Sequence, residues 1–297
     1  MESVSHSFWA LFAALPRYVF FTYTCLSLRP LRLCGADCDL EMALCKTEAV
    51  VLRSIKWSET SRIVTLYTLG FGKLKVVAKG ARRPKSQFGA SLEPITHSAV
   101  VFYRKEGRDL HTLSQCDLIV AFPKIKSDLS TLTYASAVCE LMDRLITGED
   151  PNRPLFRALV ETLGGIEGGA AADAEKFLWR FQLHLAAFLG YRPEFGTCVR
   201  CGAALEGAKV AFSFALGGTL CERCADEGAK RHLIHMGTAK FLFHLQRAHP
   251  DRVRALKHSS WLAEEIRPLL KKFLATHTED HRGLRSLDFL EQVKEVG

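Results

Sequence analysis

The sequence predicts a multidomain α+β protein in which a five-stranded barrel precedes an all-helical domain carrying an insertion with four cysteines. Three observations support this class. Apolar and polar residues alternate at the strand period between Met42 and about Phe122, and apolar residues recur at the helical period after Phe122. Two close cysteine pairs interrupt the helical part. The chain has 297 residues, more than one hydrophobic core usually organises, so we expect more than one domain.

Five segments between Met42 and Phe122 have the composition of short β-strands. Their β-branched and aromatic residues alternate with polar ones, while Gly70, Gly72 and the run 105–108 mark turns. Five strands with no helical period between them predict a small closed barrel. We favour the oligonucleotide-binding fold, or OB-fold, which is a five-stranded barrel. The predicted strands cover roughly residues 47–55, 61–68, 73–79, 97–104 and 109–121.

Helices are predicted throughout the region after Phe122. The first spans residues 129–145, with Asp128 as its N-terminal cap. A second, over residues 155–163, is followed by four glycines that predict a flexible connection. We interpret the aromatic stripe of the third helix as core packing, because helices bury one face in this way. This third helix is predicted at about 173–189, and two further helices are predicted at about 235–247 and 257–275.

The first 41 residues do not follow this pattern. Residues 8–28 are apolar and aromatic over about the length that spans a bilayer. However, Pro16 and Arg17 interrupt them, no basic segment precedes them and no clean small-residue cleavage site follows. We therefore favour an extension outside the folded domains, or a true start at Met42, over a membrane span. The predicted domains are 1–41, 42–122 and 123–297, with the cysteine insertion at about 196–228.

Four of the ten cysteines form two close pairs. Two residues separate Cys198 from Cys201, two separate Cys221 from Cys224, and nineteen lie between the pairs. This spacing matches a structural zinc site with one ion per chain, and four thiolates leave no open position at which water could be activated. An iron–sulfur cluster, or a disulfide or redox pair, is the alternative. The other six cysteines form no second set of this kind, so we expect a reducing compartment.

The net charge of +8 is concentrated in the predicted barrel. Residues 42–122 contain thirteen Lys or Arg and six acidic residues, which predicts an acidic partner such as nucleic acid or an anionic membrane surface. Lys73, Lys75 and Lys79 share one strand face and form a predicted ridge for phosphates. The other predicted DNA contacts are Arg53, Lys56, Arg62, Arg82, Arg83, Lys85, Arg104 and Lys105. Candidate stacking platforms for bases are Trp57, Phe71, Phe88 and Tyr103.

Several short runs occur in an order typical of one protein family. They are Val50–Arg53, Glu59–Thr68, Gly72–Leu74 and Ala78–Ser86, followed by Leu189–Glu194 before the first cysteine pair and by Phe212–Ser213 and Gly217–Gly218 between the pairs. On these runs the sequence resembles the RecO family of bacterial recombination mediators, which act in DNA repair. The resemblance extends from about Met42 to the C-terminus, and residues 1–41 have no counterpart in it.

The resemblance implies an OB-fold barrel, a helical domain with a zinc-bearing insertion, and no active site. RecO proteins bind single- and double-stranded DNA, anneal complementary strands, associate with RecR and help load RecA onto strands coated by single-strand binding protein (SSB). In some members the acidic tail of SSB docks on the helical domain. We therefore expect DNA, RecR and the SSB tail as partners, RecA as an indirect partner, and a cytoplasmic, nucleoid-associated protein that is not an enzyme.

Two other classes of function make distinct demands on the sequence. A zinc enzyme acting on nucleic acid would need an open metal position and a general base, and no His-x-Glu precedes a cysteine pair. A zinc-containing transcription regulator would need a recognition helix, whereas the basic residues lie mainly on predicted strands and loops. The regulator is the alternative that we retain.

Overall fold

The barrel depends on a first strand that is long enough to pair with two neighbours. The computed structural model describes residues 42–105, 107–225, 232–278 and 283–296. Its first five strands are β1 (Met42–Lys56), β2 (Arg62–Thr68), β3 (Gly72–Ala78), β4 (His97–Lys105) and β5 (Leu110–Val120). Residues 42–50 of β1 pair with β4, and residues 49–56 pair with β2. The remaining pairs close the ring in the order β1-β2-β3-β5-β4, with β3 and β5 parallel. The predicted strands are confirmed, although β1 begins earlier than predicted.

Alternate residues of these strands fill the barrel. On β3, Leu74, Val76 and Ala78 are buried, while Lys73 and Lys75 point outward. A β-bulge between Val51 and Arg53 gives β1 one residue more than β2 at this point. The bulge keeps the outward side chains of β1 in line with those of β2. The interior is therefore filled by side chains of the strands and of the β3–β4 connection, so ligands can reach only the outer surface.

Nine α-helices follow the barrel in the described part of the chain. Asp128 caps α2 by accepting a hydrogen bond from the Thr131 amide, as predicted, and Asn152 caps α3 through the Leu155 amide. The predicted helices are confirmed in position, whereas α1, α5, α7 and α9 were not predicted. The helices are α1 (Pro123–Ser127), α2 (Leu129–Leu145), α3 (Arg153–Gly168), α4 (Ala174–Phe188), α5 (Glu222–Ala225), α6 (Met236–Arg247), α7 (Pro250–Val253), α8 (Ser260–His277) and α9 (Arg285–Val296).

The prediction of an all-helical second domain is wrong at the cysteine insertion. A three-stranded antiparallel sheet forms there in the order β7-β6-β8, from β6 (Lys209–Ser213), β7 (Gly218–Leu220) and β8 (His232–His235). Strands of three to five residues are too short for a period of two to stand out in the sequence. Phe212 of β6 packs edge-on against Phe273 of α8, so the sheet shares a core with the helices.

The predicted flexible connection after residue 163 is also wrong, because α3 continues to Gly168. Gly165 is buried against α4, where a Cβ atom would lie 2.2 Å from Cε1 of Phe177. The absence of a side chain therefore allows α3 and α4 to approach closely. This glycine is a packing residue rather than a hinge.

One apolar core joins the outside of the barrel to the helices. Val50 and Tyr67 of the barrel belong to the same cluster as the buried faces of α2, α3 and α4. Phe156 of α3 lies 6.3 Å from the Tyr67 ring and 5.8 Å from the His97 ring. At Gly72 a Cβ atom would lie 2.5 Å from the Asp150 carbonyl oxygen, so only glycine fits there. The helical region thus covers one part of the barrel's outer surface.

The described part of the chain contains no helix that is long and apolar enough to cross a bilayer. The apolar segment 8–28 and the whole predicted extension 1–41 lie outside the described residues.

We expect Gly165→Ala to lower the free energy of unfolding by about 1–3 kcal/mol, because the new methyl group must displace Phe177. Gly164 is exposed on the same helix with no atom within 4 Å of a built Cβ, so Gly164→Ala is the matched control. The control should raise stability by about 0.4–1 kcal/mol by restricting the unfolded chain. Urea denaturation followed by circular dichroism compares the two, and equal effects would contradict the close α3–α4 contact.

Candidate metal centre and nucleic-acid interface

Four cysteine side chains converge at one end of the three-stranded sheet. Cys198 and Cys201 lie on a turn before β6, Cys221 follows β7, and Cys224 lies in α5. All four sulfur atoms lie within 4.8 Å of one another, and the Cys201 and Cys221 sulfurs are 3.7 Å apart. A tetrahedral ion bound at about 2.3 Å from each sulfur requires sulfur–sulfur distances of about 3.8 Å. The four side chains therefore fit a closed four-coordinate metal site.

Backbone hydrogen bonds hold the first cysteine pair in a tight turn. The Gly202 amide donates to the Cys198 carbonyl at 2.8 Å, and the Cys198 amide donates to the Ala203 carbonyl at 2.9 Å. Gly202 adopts a φ of +75°, a conformation that glycine tolerates and other residues rarely adopt. The Val199 amide donates to the Thr219 carbonyl, which ties this turn to the strand before the second pair.

The environment favours the thiolate, the form that binds metal, at Cys198 and Cys201 but opposes it at Cys224. Burial opposes ionisation of Cys198, but backbone N–H groups of Cys221, Cys201 and Arg200 bring the pKa of its thiol down to about 6. Burial and the neighbouring cysteine side chains raise the pKa of Cys224 to about 12. A cation would therefore be needed to keep all four sulfurs ionised at once.

The other described cysteines lie outside this cluster. Cys45, Cys116 and Cys139 are buried. Burial raises the pKa of Cys116, and it raises that of Cys139 to about 12. Cys116 and Cys139 are therefore protonated at neutral pH, as expected of cysteines that pack rather than bind metal.

The part of the barrel's outer surface that the helices leave open carries cations around an apolar centre. Arg53, Thr65 and Lys75 are directly opposite one another on β1, β2 and β3, and Arg53 and Lys75 are exposed. Directly opposite residues project to the same side of a sheet. The next outward row is Ile55, Ile63 and Val77, and neither β2 nor β3 contains an acidic residue. We refer to these two rows, together with Lys79, as the outer β1–β3 face.

Two loops meet at the end of this face. The Arg82 guanidinium donates to the Ser58 carbonyl at 2.8 Å, and the Arg82 amide donates to the Thr60 carbonyl at 3.0 Å. These bonds hold the loop after β3 beside the β1–β2 loop, where the Trp57 side chain is 63% exposed. Arg62 is half-buried and donates to the Ser54 hydroxyl at 3.1 Å. The other predicted contacts near this end, all exposed, are Lys56, Lys79, Arg83 and Lys85.

The prediction of an open lysine ridge is wrong at Lys73. Its side chain is only 16% exposed, and its Nζ donates to the Asp143 carbonyl at 2.6 Å. Burial lowers the pKa of Lys73, and the Asp143 carboxylate opposes that shift. Lys73 projects to the same side of β3 as Lys75, as predicted, but α2 covers the end of β3 at which Lys73 lies. It therefore contributes to the contact between barrel and helices instead of to a free surface.

Arg104 takes part in a second such contact. Its guanidinium is 3.0 Å from the Glu149 carboxylate, which is also 2.8 Å from Nε2 of the buried His111. Glu149 lies in the connection between α2 and α3, so it binds two strands of the barrel to the helical region. Lys105 belongs to β4, but its side chain lies outside the part that the structure describes.

The predicted stacking residues do not form one surface. Phe88 is 4% exposed inside the barrel core, so the prediction that it stacks on bases is wrong. Phe71 is half-buried and packs edge-on against Phe102 at 5.4 Å. Tyr103 is exposed but lies opposite Leu44 on the β1–β4 part of the barrel. Of the four aromatic residues, Trp57 alone lies beside the outer β1–β3 face.

Two family models match the barrel and the helical part of the chain. A family model described as "Recombination protein O N terminal" matches residues 42–122, and one described as "Recombination protein O C terminal" matches residues 126–288. The chain belongs to the RecO family. It is 35% identical over 251 residues to the DNA repair protein RecO of Pelotomaculum thermopropionicum, covering 84% of this chain and 95% of the relative. It is 36% identical over 256 residues to the DNA repair protein RecO of Salinibacter ruber, covering 86% and 96%.

RecO membership places the protein in DNA repair and recombination, and that role implies DNA binding. Sequence reasoning had missed several residues that shape the candidate interface of this RecO chain. Ile63 and Val77 could have been identified, because the strand period places them on the same face as Thr65 and Lys75. Asp143 and Glu149 could not, because only tertiary packing brings them to the barrel.

We expect the purified protein to carry one metal ion per chain, measured by inductively coupled plasma mass spectrometry. Cys198→Ser should abolish stoichiometric metal and lower the melting temperature, because three thiolates cannot complete the site. Cys139→Ala is the control, since this cysteine is equally buried but lies outside the cluster, and it should retain the metal. A full metal content in the Cys198→Ser variant would show that the four cysteines are not the binding site.

Proposed function

We propose that this RecO-family protein binds single- and double-stranded DNA through the outer β1–β3 face and anneals complementary strands. The observation that carries the proposal is the composition of that face. Arg53 of β1, Lys75 of β3 and Lys79 just after β3 lie around Ile55, Ile63 and Val77, and neither β2 nor β3 contains an acidic residue. Lys and Arg neutralise phosphates irrespective of base sequence, and an apolar surface accepts any base.

We assign the barrel to the OB-fold. Its closed five-strand order, β1-β2-β3-β5-β4, supports this assignment. Nucleic acids bind OB-folds across strands 2 and 3 and the loops beside them. The outer β1–β3 face and the exposed Trp57 lie in the corresponding place, and Trp57 is the aromatic residue best placed for base stacking.

Annealing requires that a strand be held while its pairing edges stay accessible. Contacts with phosphates and base faces leave the hydrogen-bonding edges of the bases available to a second strand. The outer β1–β3 face offers cations and apolar side chains, with Thr65, a buried residue, as the polar side chain between them. Such a surface suits a mediator that acts on any sequence.

We propose that the metal is zinc and that its role is structural. Four cysteine ligands saturate a tetrahedral ion, so no coordination site is left for water or substrate. The ion would tie the turn at Cys198 to β7 and α5 and so stabilise the small sheet. On this basis we propose that the protein is not an enzyme. An iron–sulfur cluster would absorb visible light, which distinguishes it from colourless zinc.

The proposed protein partners rest on the family resemblance. They are RecR, the C-terminal tail of SSB and, indirectly, RecA during loading onto SSB-coated strands. The same resemblance supports a cytoplasmic, nucleoid-associated protein. A zinc-containing transcription regulator is not favoured, because the family acts in repair and recombination and the exposed cations described above lie on strands and loops.

We expect Lys75→Ala combined with Lys79→Ala to weaken binding of single-stranded DNA equally for all base sequences. Removing two phosphate contacts should flatten the dependence of log affinity on log salt by about 1.4. Lys240→Ala combined with Lys271→Ala removes the same charge from exposed sites on α6 and α8, and it should leave the slope unchanged. Lys73→Ala should reduce stability with an unchanged slope. Fluorescence anisotropy titrations measure these slopes, and an unaltered slope in the Lys75/Lys79 variant would contradict the assigned surface.

Annealing itself is tested with complementary oligonucleotides, naked or coated with SSB, by fluorescence resonance energy transfer. We expect the wild-type protein to accelerate annealing and the Lys75/Lys79 variant to lose most of that acceleration. A wild-type protein that binds DNA but does not accelerate annealing in either condition would refute the proposed annealing activity while leaving DNA binding intact.

A further inference from the structure

Helix α3 lies directly beside the open part of the barrel's outer surface. Phe156 in its first turns packs on Tyr67 and His97, and the Tyr67 hydroxyl approaches the Asn152 carbonyl oxygen to 3.5 Å. Tyr67 is paired with Lys73 on β3 and with Val50 on β1. The N-terminal half of α3 therefore crosses the row of residues that borders the outer β1–β3 face.

The distance from this row to the first cationic row is short. Thr65 precedes Tyr67 by two positions along β2 and is paired with Arg53 and Lys75. Two residues of an extended strand span about 7 Å. Side chains as long as arginine on the exposed side of α3 can reach across this distance.

The exposed side of α3 carries such residues. Leu155, Leu159 and Leu163 of this helix are buried. Arg153 and Arg157 are exposed and lie one turn apart, so they share a stripe that runs next to Phe156 on the solvent side. Glu161 is exposed one turn further on and ends the cationic part of the stripe.

We infer that Arg157, together with Arg153, forms a second cationic wall of the nucleic-acid groove, so that a bound strand lies between α3 and the outer β1–β3 face. The inference rests on the proposed function and adds a contact from the helical region to it. The groove would have Arg157 on its helix side and Arg53 and Lys75 on its strand side. The apolar row of Ile55, Ile63 and Val77 lies next to Arg53 and Lys75, on the side away from α3.

This arrangement points to single-stranded DNA as the occupant. Cations on both sides match a backbone with one negative charge per nucleotide. The apolar row of Ile55, Ile63 and Val77 beside the groove contacts base faces, which a single strand exposes and a duplex keeps stacked inside. A duplex keeps its base faces stacked inside, so it would use the cations of the outer β1–β3 face without entering the groove beside Arg157.

The test compares Arg157→Ala with Arg252→Ala, using oligothymidylate labelled with fluorescein. Arg252 on α7 is also an exposed arginine. It lies near the opposite end of α3, where Arg254 donates to the Gly165 carbonyl. We expect Arg157→Ala to flatten the salt dependence of binding by about 0.7 and Arg252→Ala to leave it unchanged. Arg157→Glu should weaken binding further, and melting temperatures verify that each variant folds.

The outcomes separate this inference from the proposed function. If the Lys75/Lys79 variant loses affinity while Arg157→Ala and Arg157→Glu behave like Arg252→Ala, the helix wall is refuted and the barrel surface stands. If the Lys75/Lys79 variant also matches its control, the proposed surface itself fails. If Arg157→Ala weakens binding of a labelled duplex as much as binding of the single strand, the assignment of the groove to single-stranded DNA is overturned.

Discussion

The packing of α3 and the α2–α3 connection against the barrel determines which barrel residues can meet a ligand. Phe156 lies against Tyr67 and His97, and the Asp150 backbone fills the space at Gly72. Because the two regions share one apolar core, this contact is part of the fold and not a transient association between domains. It leaves open the two rows that contain Thr65 and Ile63, which form the outer β1–β3 face. The proposed nucleic-acid groove depends on where the helices stop covering the barrel.

The same contact divides the barrel's cations into two groups with different tasks. Lys73 and Arg104 meet Asp143 and Glu149, so their charges are neutralised within the protein. Residues farther from the helices, such as Lys75, retain exposed side chains. A cluster of Lys and Arg in the sequence therefore does not by itself identify a nucleic-acid interface, because partly buried ion pairs and phosphate contacts use the same residue types.

The sequence predicted the elements well and their tertiary contacts poorly. Strand alternation and helical periodicity identified the barrel strands and main helices, and cysteine spacing identified a cluster that the structure brings together. The predicted DNA contact at Lys73 and base stacking at Phe88 were wrong. Strand period and composition cannot show that another helix covers an outward-facing lysine or that an aromatic residue of a loop packs in the barrel core. Helix α4 gives another example. Lys176, Arg180 and His184 recur every four residues, and each is hydrogen-bonded to a backbone carbonyl of residues 246–256, contacts that no local pattern reveals.

Acetylation footprinting of lysines by mass spectrometry, with and without single-stranded DNA, tests most directly whether the open part of the barrel is the binding surface. The account predicts that DNA protects Lys75 and Lys79, that Lys240 and Lys271 react equally in both states, and that Lys73 reacts slowly throughout because Asp143 and burial shield it. Protection of Lys240 and Lys271 without protection of Lys75 and Lys79 would place the DNA on another surface and contradict the account.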